Sequence, residues 1–258
     1  MKAEFADLVA VITGAAQGIG RAIAEELRAR GARLILVDRN ADRVAATAEA
    51  LRGTAVDEVS FLVADLADPA AIASLTAEVG KLEPKVDVLV NNAGIELDLP
   101  FAEITAAQFD CVIAINLRAP LLMTQAMVSL FPATGGAIVN ISSIHADHAF
   151  PNSIPYAGSK AGLVAQTRNL ALELAPRRIR VNAVCPGYID TPMWESWLQT
   201  SIDPAAIASQ TQALHPLGRR GLPQDVASAT AYLASPQAAW VTGTSLVVDG
   251  GLTIRTHP

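Results

Sequence analysis

This chain of 258 residues has little cysteine, and its histidines are not spaced as metal ligands. Cys111 and Cys185 lie far apart and neither has a CxxC companion, so we predict two buried free thiols. The four histidines show no HExxH-type spacing; they stand at positions 145, 148, 215 and 257. No metal site is therefore expected.

The sequence also lacks a basic stripe and a long apolar run. Its formal net charge is −6 at pH 7, and acidic and basic residues are interleaved, which argues against nucleic acid as a partner. No apolar run approaches the roughly 20 residues that span a bilayer, so no membrane partner is expected. Glu4 and Asp7 precede a short apolar segment and a glycine turn, unlike a signal peptide, and the expected location is the cytoplasm.

Interdomain linkers, low-complexity tracts and internal repeats are missing as well. Hydrophobic residues make up 51% of the chain and charged residues 17%, which is enough apolar material for a sizeable core. A chain of this length would also permit two domains. Because nothing in the composition marks a boundary, we predict a single domain over residues 1–258.

Short β-branched runs alternate with longer amphipathic stretches along the chain. Strands are predicted at residues 8–13, 34–37, 61–63, 86–90, 137–141, 179–184 and 245–248. Helices are predicted at residues 21–30, 41–51, 69–79, 105–130, 156–174 and 223–233. Apolar strands separated by helices indicate a parallel sheet covered on both faces, and right-handed crossovers make it a doubly wound α/β fold of the Rossmann type with seven strands. Ligands of such sheets bind at the carboxyl ends of the strands.

A glycine turn, TGAAQGIG, follows the first strand at residues 13–20. Gly14 allows a sharp turn, while Gly18 and Gly20 let the backbone approach a pyrophosphate at the start of a helix, where unpaired N–H groups and the helix dipole favour phosphate. Glycines also mark ordinary turns, and the spacing differs from the commoner GxGxxG. Between a strand and a helix, however, the turn predicts dinucleotide binding, with Gln17 and Ile19 in the same loop.

Acidic residues follow the second and third strands. A carboxylate at Asp38 can accept both ribose hydroxyls and would repel a 2′-phosphate, which favours NAD over NADP. Arg39 argues the other way, because a guanidinium can accommodate a 2′-phosphate. Asp65 and Leu66 stand where the adenine ring should lie. Alternatively, Asp38 and Asp65 each cap the following helix.

Two further motifs complete an ordered set: NNAG at residues 91–94 and YAGSK at residues 156–160. Together with TGAAQGIG, they resemble the short-chain dehydrogenase/reductase family over nearly the whole chain. The resemblance implies that Asn116, Ser143, Tyr156 and Lys160 are catalytic. It also implies cofactor contacts by Asn92, Ala93, Gly94, Tyr156, Lys160, Pro186, Gly187, Ile189 and Thr191. It further implies a homotetramer, with the helices of the fourth and fifth crossovers and the segment SLVVDGG at the interfaces.

The spacing of Tyr156 and Lys160 supports acid/base chemistry independently of the family. Four residues apart on a helix, they share one face. A lysine ammonium and a helix N-terminus both favour the phenolate, so we expect the pKa of Tyr156 to lie close to the working pH. Ser143 follows a strand and would stabilise charge on the substrate oxygen. In relatives, the position of Asn116 anchors a water that relays protons to the lysine.

Glu96 directly follows NNAGI, and His145 follows a serine pair. This combination resembles the aldose 1-dehydrogenases of the family, in which a glutamate after NNAGI reaches sugar hydroxyls. A carboxylate and an imidazole beside the hydride site suit a polyhydroxylated substrate, whereas a steroid or fatty-acyl pocket would leave them unpaired. Alternatively, both are solvated loop residues.

Residues 188–215 lie where relatives carry a mobile lid, so a substrate lid is expected there. Asn152 and Trp194 are expected to contact the substrate together with Glu96, Ser143, His145 and Tyr156. His148 and Trp197 are further candidates, although the tryptophans would also serve merely to pack the lid.

The favoured reaction is oxidation of a substrate hydroxyl by NAD. Other activities would use the same catalytic residues: those of a secondary-alcohol or polyol dehydrogenase, or of a 3-oxoacyl reductase. A non-catalytic NAD-binding regulator would need neither Tyr156 nor Lys160.

Overall fold

The computed structural model describes residues 3–52 and 58–255. The described residues form seven strands: β1 (Val9–Thr13), β2 (Arg33–Asp38), β3 (Val59–Val63), β4 (Val88–Asn91), β5 (Gly136–Ile141), β6 (Ile179–Pro186) and β7 (Ser245–Val248). All pair in parallel in one sheet, in the order β3-β2-β1-β4-β5-β6-β7. The predicted seven-stranded parallel sheet is confirmed. The chain ends of the predicted domain, with His257, lie outside the described residues.

The described residues also form nine α-helices. They are α1 (Gly18–Ala29), α2 (Ala41–Arg52), α3 (Pro69–Leu82), α4 (Ala106–Ile113), α5 (Ala119–Met127), α6 (Ile154–Leu174), α7 (Pro192–Leu198), α8 (Pro204–Ala213) and α9 (Pro223–Ala234). Of these, α1, α2 and α9 cover one face of the sheet and α3 and α5 the other. One predicted helix needs correction. The stretch at 105–130 is not a uniform α-helix, because a π-helical turn, Ala114–Arg118, separates α4 from α5.

Alternation along β1 shows how the sheet divides the core. Ala10 and Ile12 point to the face covered by α1, α2 and α9, and Val9 and Val11 point to the face covered by α3 and α5. Successive side chains of a strand point in opposite directions, and all four of these side chains are apolar. Each face of the sheet therefore packs against an apolar core. Such a sheet is rigid, and it holds its strand ends in fixed relative positions.

The strand order reverses between β1 and β4. From β1 the chain proceeds through β2 and β3 to one edge, and β4 to β7 then fill the other side. A crevice opens outside the carboxyl ends of the strands at such a switch point. The glycine turn after β1 and the NNAG motif at the end of β4 border this crevice.

Two of our expectations about apolar segments and thiols need correction. Cys185 is buried in β6, but Cys111 is exposed, because it lies on the outer face of α4. The helical stretch Ala106–Leu130 is long and apolar enough to cross a membrane by length and composition, although half of it is buried inside the fold. Burial against the sheet explains its apolar character without a membrane.

Candidate active site

A cavity of about 530 Å³ occupies the crevice at the carboxyl ends of the strands. Every residue predicted to bind cofactor or substrate lines this cavity. Of the four predicted catalytic residues, Ser143, Tyr156 and Lys160 line it and Asn116 does not. Side chains from the ends of β1, β2, β4, β5 and β6 thus converge on one space.

The glycine turn has the shape of a cradle that side chains would fill. Gly14 has a φ of +64°, and a Cβ there would lie 2.8 Å from Ala93 Cα, too close for any residue except glycine. A Cβ on Gly20 would collide with the backbone oxygen of Gly14. Because α1 begins at Gly18, its free N–H groups face the same space. These features fit a dinucleotide pyrophosphate.

The turn is fixed to the NNAG motif by hydrogen bonds. Thr13 Oγ1 accepts from the backbone N–H groups of Asn92, at 3.0 Å, and Ala93, at 3.1 Å. In return, Asn92 Nδ2 donates to the carbonyl oxygens of Thr13, at 2.9 Å, and Gly14, at 3.0 Å. These bonds hold the ends of β1 and β4 in register around the cavity.

Asp38 faces the glycine turn and does not cap the helix that follows it. Its Oδ2 accepts from Ala16 N–H at 3.1 Å, and its Oδ1 accepts from Asn40 N–H at 2.9 Å. Asn40 caps α2 instead, since its side chain accepts from Arg43 N–H at 3.0 Å. The carboxylate is therefore held rigidly at the cavity wall.

Asp65 likewise does not cap a helix. The N-cap of α3 is Asp68, whose side chain accepts from Ala70 N–H. Asp65 accepts from Ala67 N–H at 2.9 Å and remains in the cavity wall beside Leu66. The capping alternative is thus wrong for both acidic residues.

Tyr156 stands in the first turn of α6, and Lys160 follows one turn later. Lys160 is buried, its Nζ donates to the Ile141 carbonyl at 2.9 Å, and it lies 5.5 Å from the centre of the Tyr156 ring. Burial lowers the pKa of Lys160 to about 8. Burial and the charge of Glu96 raise the pKa of Tyr156, while a hydrogen bond with Ser143 lowers it in part.

These pKa shifts correct one prediction about Tyr156. We expected the lysine and the helix end to bring the tyrosine pKa close to the working pH. Burial removes both side chains from much of the water that would stabilise their charged forms, and desolvation is the largest effect on the pKa of each. The phenolate therefore needs further positive charge beside it.

Asn116 lies within the π-helical turn, and its side chain forms three hydrogen bonds to protein groups. Its Oδ1 accepts from Ile95 N–H at 2.9 Å, and its Nδ2 donates to the Ile95 carbonyl at 2.8 Å and to Ser159 Oγ at 3.1 Å. Ser159 Oγ in turn donates to the Tyr156 carbonyl at 2.6 Å. Asn116 thus ties the loop that carries Glu96 to the helix that carries Tyr156. A water relay through Asn116 stays a prediction.

His145 is placed by both its neighbours and its own backbone. Its Nδ1 lies 3.1 Å from Ser143 Oγ, and Ser143 Oγ also accepts from His145 N–H at 3.2 Å. The imidazole stacks on Phe150 at 4.1 Å and meets Tyr156 edge-on at 5.2 Å. Burial lowers the pKa of His145 to about 4, so the ring is neutral near pH 7.

Glu96 lines the same cavity as these groups. Burial raises its pKa, and the charge of Asp98 raises it further, while Lys160 lowers it. Glu96 and His145 are therefore partly buried cavity residues and not solvated loop residues, as the alternative had it.

Four acidic or aromatic cavity residues were missed or only loosely predicted: Asp98, Phe150, Tyr188 and Trp197. Tyr188 meets the edge of Trp194 at 5.3 Å, and Trp194 lies 5.0 Å from Trp197, which forms an aromatic wall on the lid side. His148, a further candidate, is exposed and does not line the cavity. Alternation along the segment that carries Glu96 would have found Asp98, two residues on.

Known proteins resemble this chain over nearly its full length. A family model described as enoyl-(acyl carrier protein) reductase matches residues 14–253. The 3-oxoacyl-acyl-carrier-protein reductase of Thermotoga maritima is 38% identical over 250 residues, 95% of this chain and 98% of that protein. Levodione reductase of Leifsonia aquatica is 36% identical over 252 residues, 96% of this chain and 94% of that protein.

Solved structures agree with these sequence relatives. A levodione reductase structure has a TM-score of 0.92 at 36% identity and covers 97% of this chain and 99% of its own. The aldohexose dehydrogenase of Thermoplasma acidophilum has a TM-score of 0.88 at 33% identity and covers 100% of this chain and 98% of its own.

Proposed function

Because the chain belongs to the short-chain dehydrogenase/reductase family, whose members act on hydroxyl and carbonyl groups, we propose that it is an NAD-dependent dehydrogenase of a small polyhydroxylated substrate, with an aldose as the best candidate. The observation that carries this proposal is that Glu96 and His145 both lie, partly buried, in the wall of the same cavity. Both side chains need hydrogen-bond partners that several hydroxyl groups would supply.

Asp38 supports NAD as the cofactor. Its carboxylate is fixed by two backbone N–H groups at the end of β2, and it lines the cavity beside the glycine turn. A fixed carboxylate accepts hydrogen bonds from ribose hydroxyls and repels a 2′-phosphate. Arg39 also lines the cavity, so the discrimination between NAD and NADP rests on the balance of these two side chains.

The catalytic residues divide the chemistry among themselves. When bound, the oxidised nicotinamide supplies the hydride acceptor and a positive charge beside Tyr156. Tyr156 takes the proton of the substrate hydroxyl through its phenolic oxygen. Ser143 donates a hydrogen bond to the substrate oxygen and stabilises the negative charge that develops there. The Lys160 ammonium lies 5.5 Å from the centre of the tyrosine ring and supplies positive charge to the site.

A 3-oxoacyl thioester is the second candidate substrate, and one finding favours it: the 38% identity to the Thermotoga maritima reductase. The charge of the cavity argues against it. Glu96 and Asp98 both line the cavity, and an acyl chain offers no donor to the Glu96 carboxylate or to Asp98 Oδ1, which has no partner among the described residues. A cyclic ketone of the kind named for levodione reductase would suit the aromatic wall but leaves the same carboxylates unpaired.

A substrate panel tests the proposal. We expect NAD-linked absorbance changes with aldoses or polyols and kcat/KM values at least ten times lower with a 3-oxoacyl thioester, because removing the partner of a buried hydrogen-bonding group costs about 1–3 kcal/mol. Turnover of simple ketones or thioesters without turnover of any sugar would refute the assignment of substrate.

We also propose that the protein is a homotetramer. Leu172 on α6 is 78% exposed, and Trp240, between α9 and β7, is fully exposed. Apolar side chains of this size on a surface support an interface between subunits. Light scattering on a sized sample tests this, and a monomer at micromolar concentration would contradict it.

A further inference from the structure

One carboxylate oxygen of Asp98 has a hydrogen-bond partner, and the other has none among the described residues. Its Oδ2 accepts a hydrogen bond of 2.6 Å from Trp197 Nε1. Its Oδ1 is shielded from solvent and has no hydrogen-bond partner among the described residues. A buried carboxylate oxygen without a donor is unfavourable, so this position gains stability when a donor arrives.

Asp98 belongs to the substrate end of the cavity. It lies two residues beyond Glu96 in the irregular segment after β4. Both line the cavity. The negative charge of Asp98 is felt by Glu96, His145 and Tyr188, which come from three different parts of the chain.

The partner of Asp98 lies on the lid. Trp197 belongs to α7, whose N-cap Thr191 accepts from Trp194 N–H at 3.2 Å. The bond between Asp98 and Trp197 joins the loop after β4 to the segment 188–215, across 99 positions of sequence. It places the Trp197 indole in the wall of the cavity that Glu96 also lines.

We propose that Asp98 is a specificity-determining residue with two tasks: it fastens the lid through Trp197, and it accepts a hydrogen bond from a substrate hydroxyl other than the one that is oxidised. The second task rests on the proposed hydroxylated substrate. Because Oδ1 is shielded with the lid in its present position, this contact forms as the lid and the carboxylate adjust around the substrate. A substrate without the second hydroxyl leaves Oδ1 unpaired and is discriminated against.

Two variants separate the two tasks. Asp98→Asn keeps an oxygen for Trp197 but replaces the charged acceptor with an amide NH2. We expect the KM for the sugar or polyol to rise about tenfold or more, since a hydrogen bond to a charged group is lost, while kcat/KM for a monohydroxy alcohol changes less than threefold. Trp197→Phe removes the donor on the lid. We expect Trp197→Phe to weaken the binding of both substrates to the same extent and to speed hydrogen–deuterium exchange in residues 192–213. Asp98→Asn should leave that exchange unchanged.

The control is Asp110→Asn, which removes the same charge from an exposed position on α4 and should match the wild type in every assay. If Asp98→Asn leaves the KM for the polyhydroxylated substrate unchanged, or weakens the binding of both substrates equally, Asp98 does not select the substrate. This inference then fails while the proposed function stands. If the wild-type enzyme turns over monohydroxy alcohols but no polyhydroxylated compound, the proposed function fails and this inference fails with it.

Discussion

The side-chain amide of Asn116 satisfies both backbone groups of Ile95, accepting from its N–H at 2.9 Å and donating to its carbonyl at 2.8 Å. No strand or helix pairs these groups, because Ile95 lies in the irregular segment after β4. The π-helical turn that displaces Asn116 from a regular helix is what brings the amide to this segment. The position of Glu96, the next residue, therefore depends on Asn116.

Replacing Asn116 by Ala should destabilise the protein and disturb substrate binding together. The substitution leaves the N–H and the carbonyl of Ile95 unpaired, so we expect the free energy of unfolding to fall by about 2 kcal/mol or more and the substrate KM to rise. Urea unfolding and steady-state kinetics measure the two effects. Asn169→Ala is the matched control, because this exposed asparagine on α6 only donates to the Ala165 carbonyl. Equal stability of the two variants would contradict the role of Asn116.

Replacing Tyr156 by Phe should abolish turnover while leaving cofactor binding intact. The variant loses only the hydroxyl that exchanges a proton with the substrate, and acid/base catalysis of this kind contributes about 10²–10⁴-fold to the rate. Steady-state assays give kcat, and titration of protein fluorescence gives the affinity for NAD. Tyr232→Phe, on the surface of α9, serves as the control. Near-wild-type activity of Tyr156→Phe would overturn the mechanism.

Much of the fold and of the cofactor site was predictable from the sequence. A run of apolar residues marks a buried strand whatever its pairing register is. The strands predicted at 245–248 and 34–37 accordingly end within one residue of their predicted bounds. The motifs around Gly14 and Asn92 depend on local backbone requirements that a sequence displays directly. Their mutual contact follows from the parallel order of β1 and β4.

What the sequence did not reveal depends on burial and on contacts between distant segments. The spacing of Tyr156 and Lys160 indicates that they lie close together, but the direction of their pKa shifts depends on how much water reaches them. The bond between Asp98 and Trp197 joins an extended loop to a lid helix, and no local pattern encodes it. The break in the helical stretch at Asn116 coincides with its bonds to Ile95, 21 residues away, which no local pattern displays either.

Replacing Asp38 by Asn should shift the cofactor preference. The amide has nearly the same shape but no negative charge, so it repels a 2′-phosphate less and binds ribose hydroxyls more weakly. We expect the ratio of kcat/KM for NAD to that for NADP to fall by about tenfold or more, which corresponds to about 1.4 kcal/mol. Asp42→Asn, an exposed acidic residue in the first turn of α2, should leave the ratio unchanged. A ratio equally unaffected in Asp38→Asn would show that other residues select the cofactor.

Lys160 should make the stability of the cofactor-free protein increase with pH in alkaline solution. Burial lowers its pKa from 10.5 to about 8 in the folded state. Between pH 8 and pH 10 the unfolded chain therefore holds a proton on this lysine that the folded protein has released. Because the unfolded state binds more protons, the free energy of unfolding rises with pH in this window, by up to about 1.4 kcal/mol per pH unit from this group.

Urea unfolding at pH 8.0 and pH 9.5, chosen inside that roughly two-unit window, tests this in the wild type and in Lys160→Met. We expect the wild type to gain stability relative to the variant as the pH rises. Tyr156 does not obscure the comparison, because its raised pKa keeps the folded phenol protonated in both proteins. Lys81→Met, on the exposed side of α3, should follow the wild type. If the stability of Lys160→Met shows the same pH dependence as the wild type, burial does not destabilise the ammonium of Lys160. The lysine would then be able to favour the phenolate of Tyr156 even before the cofactor binds.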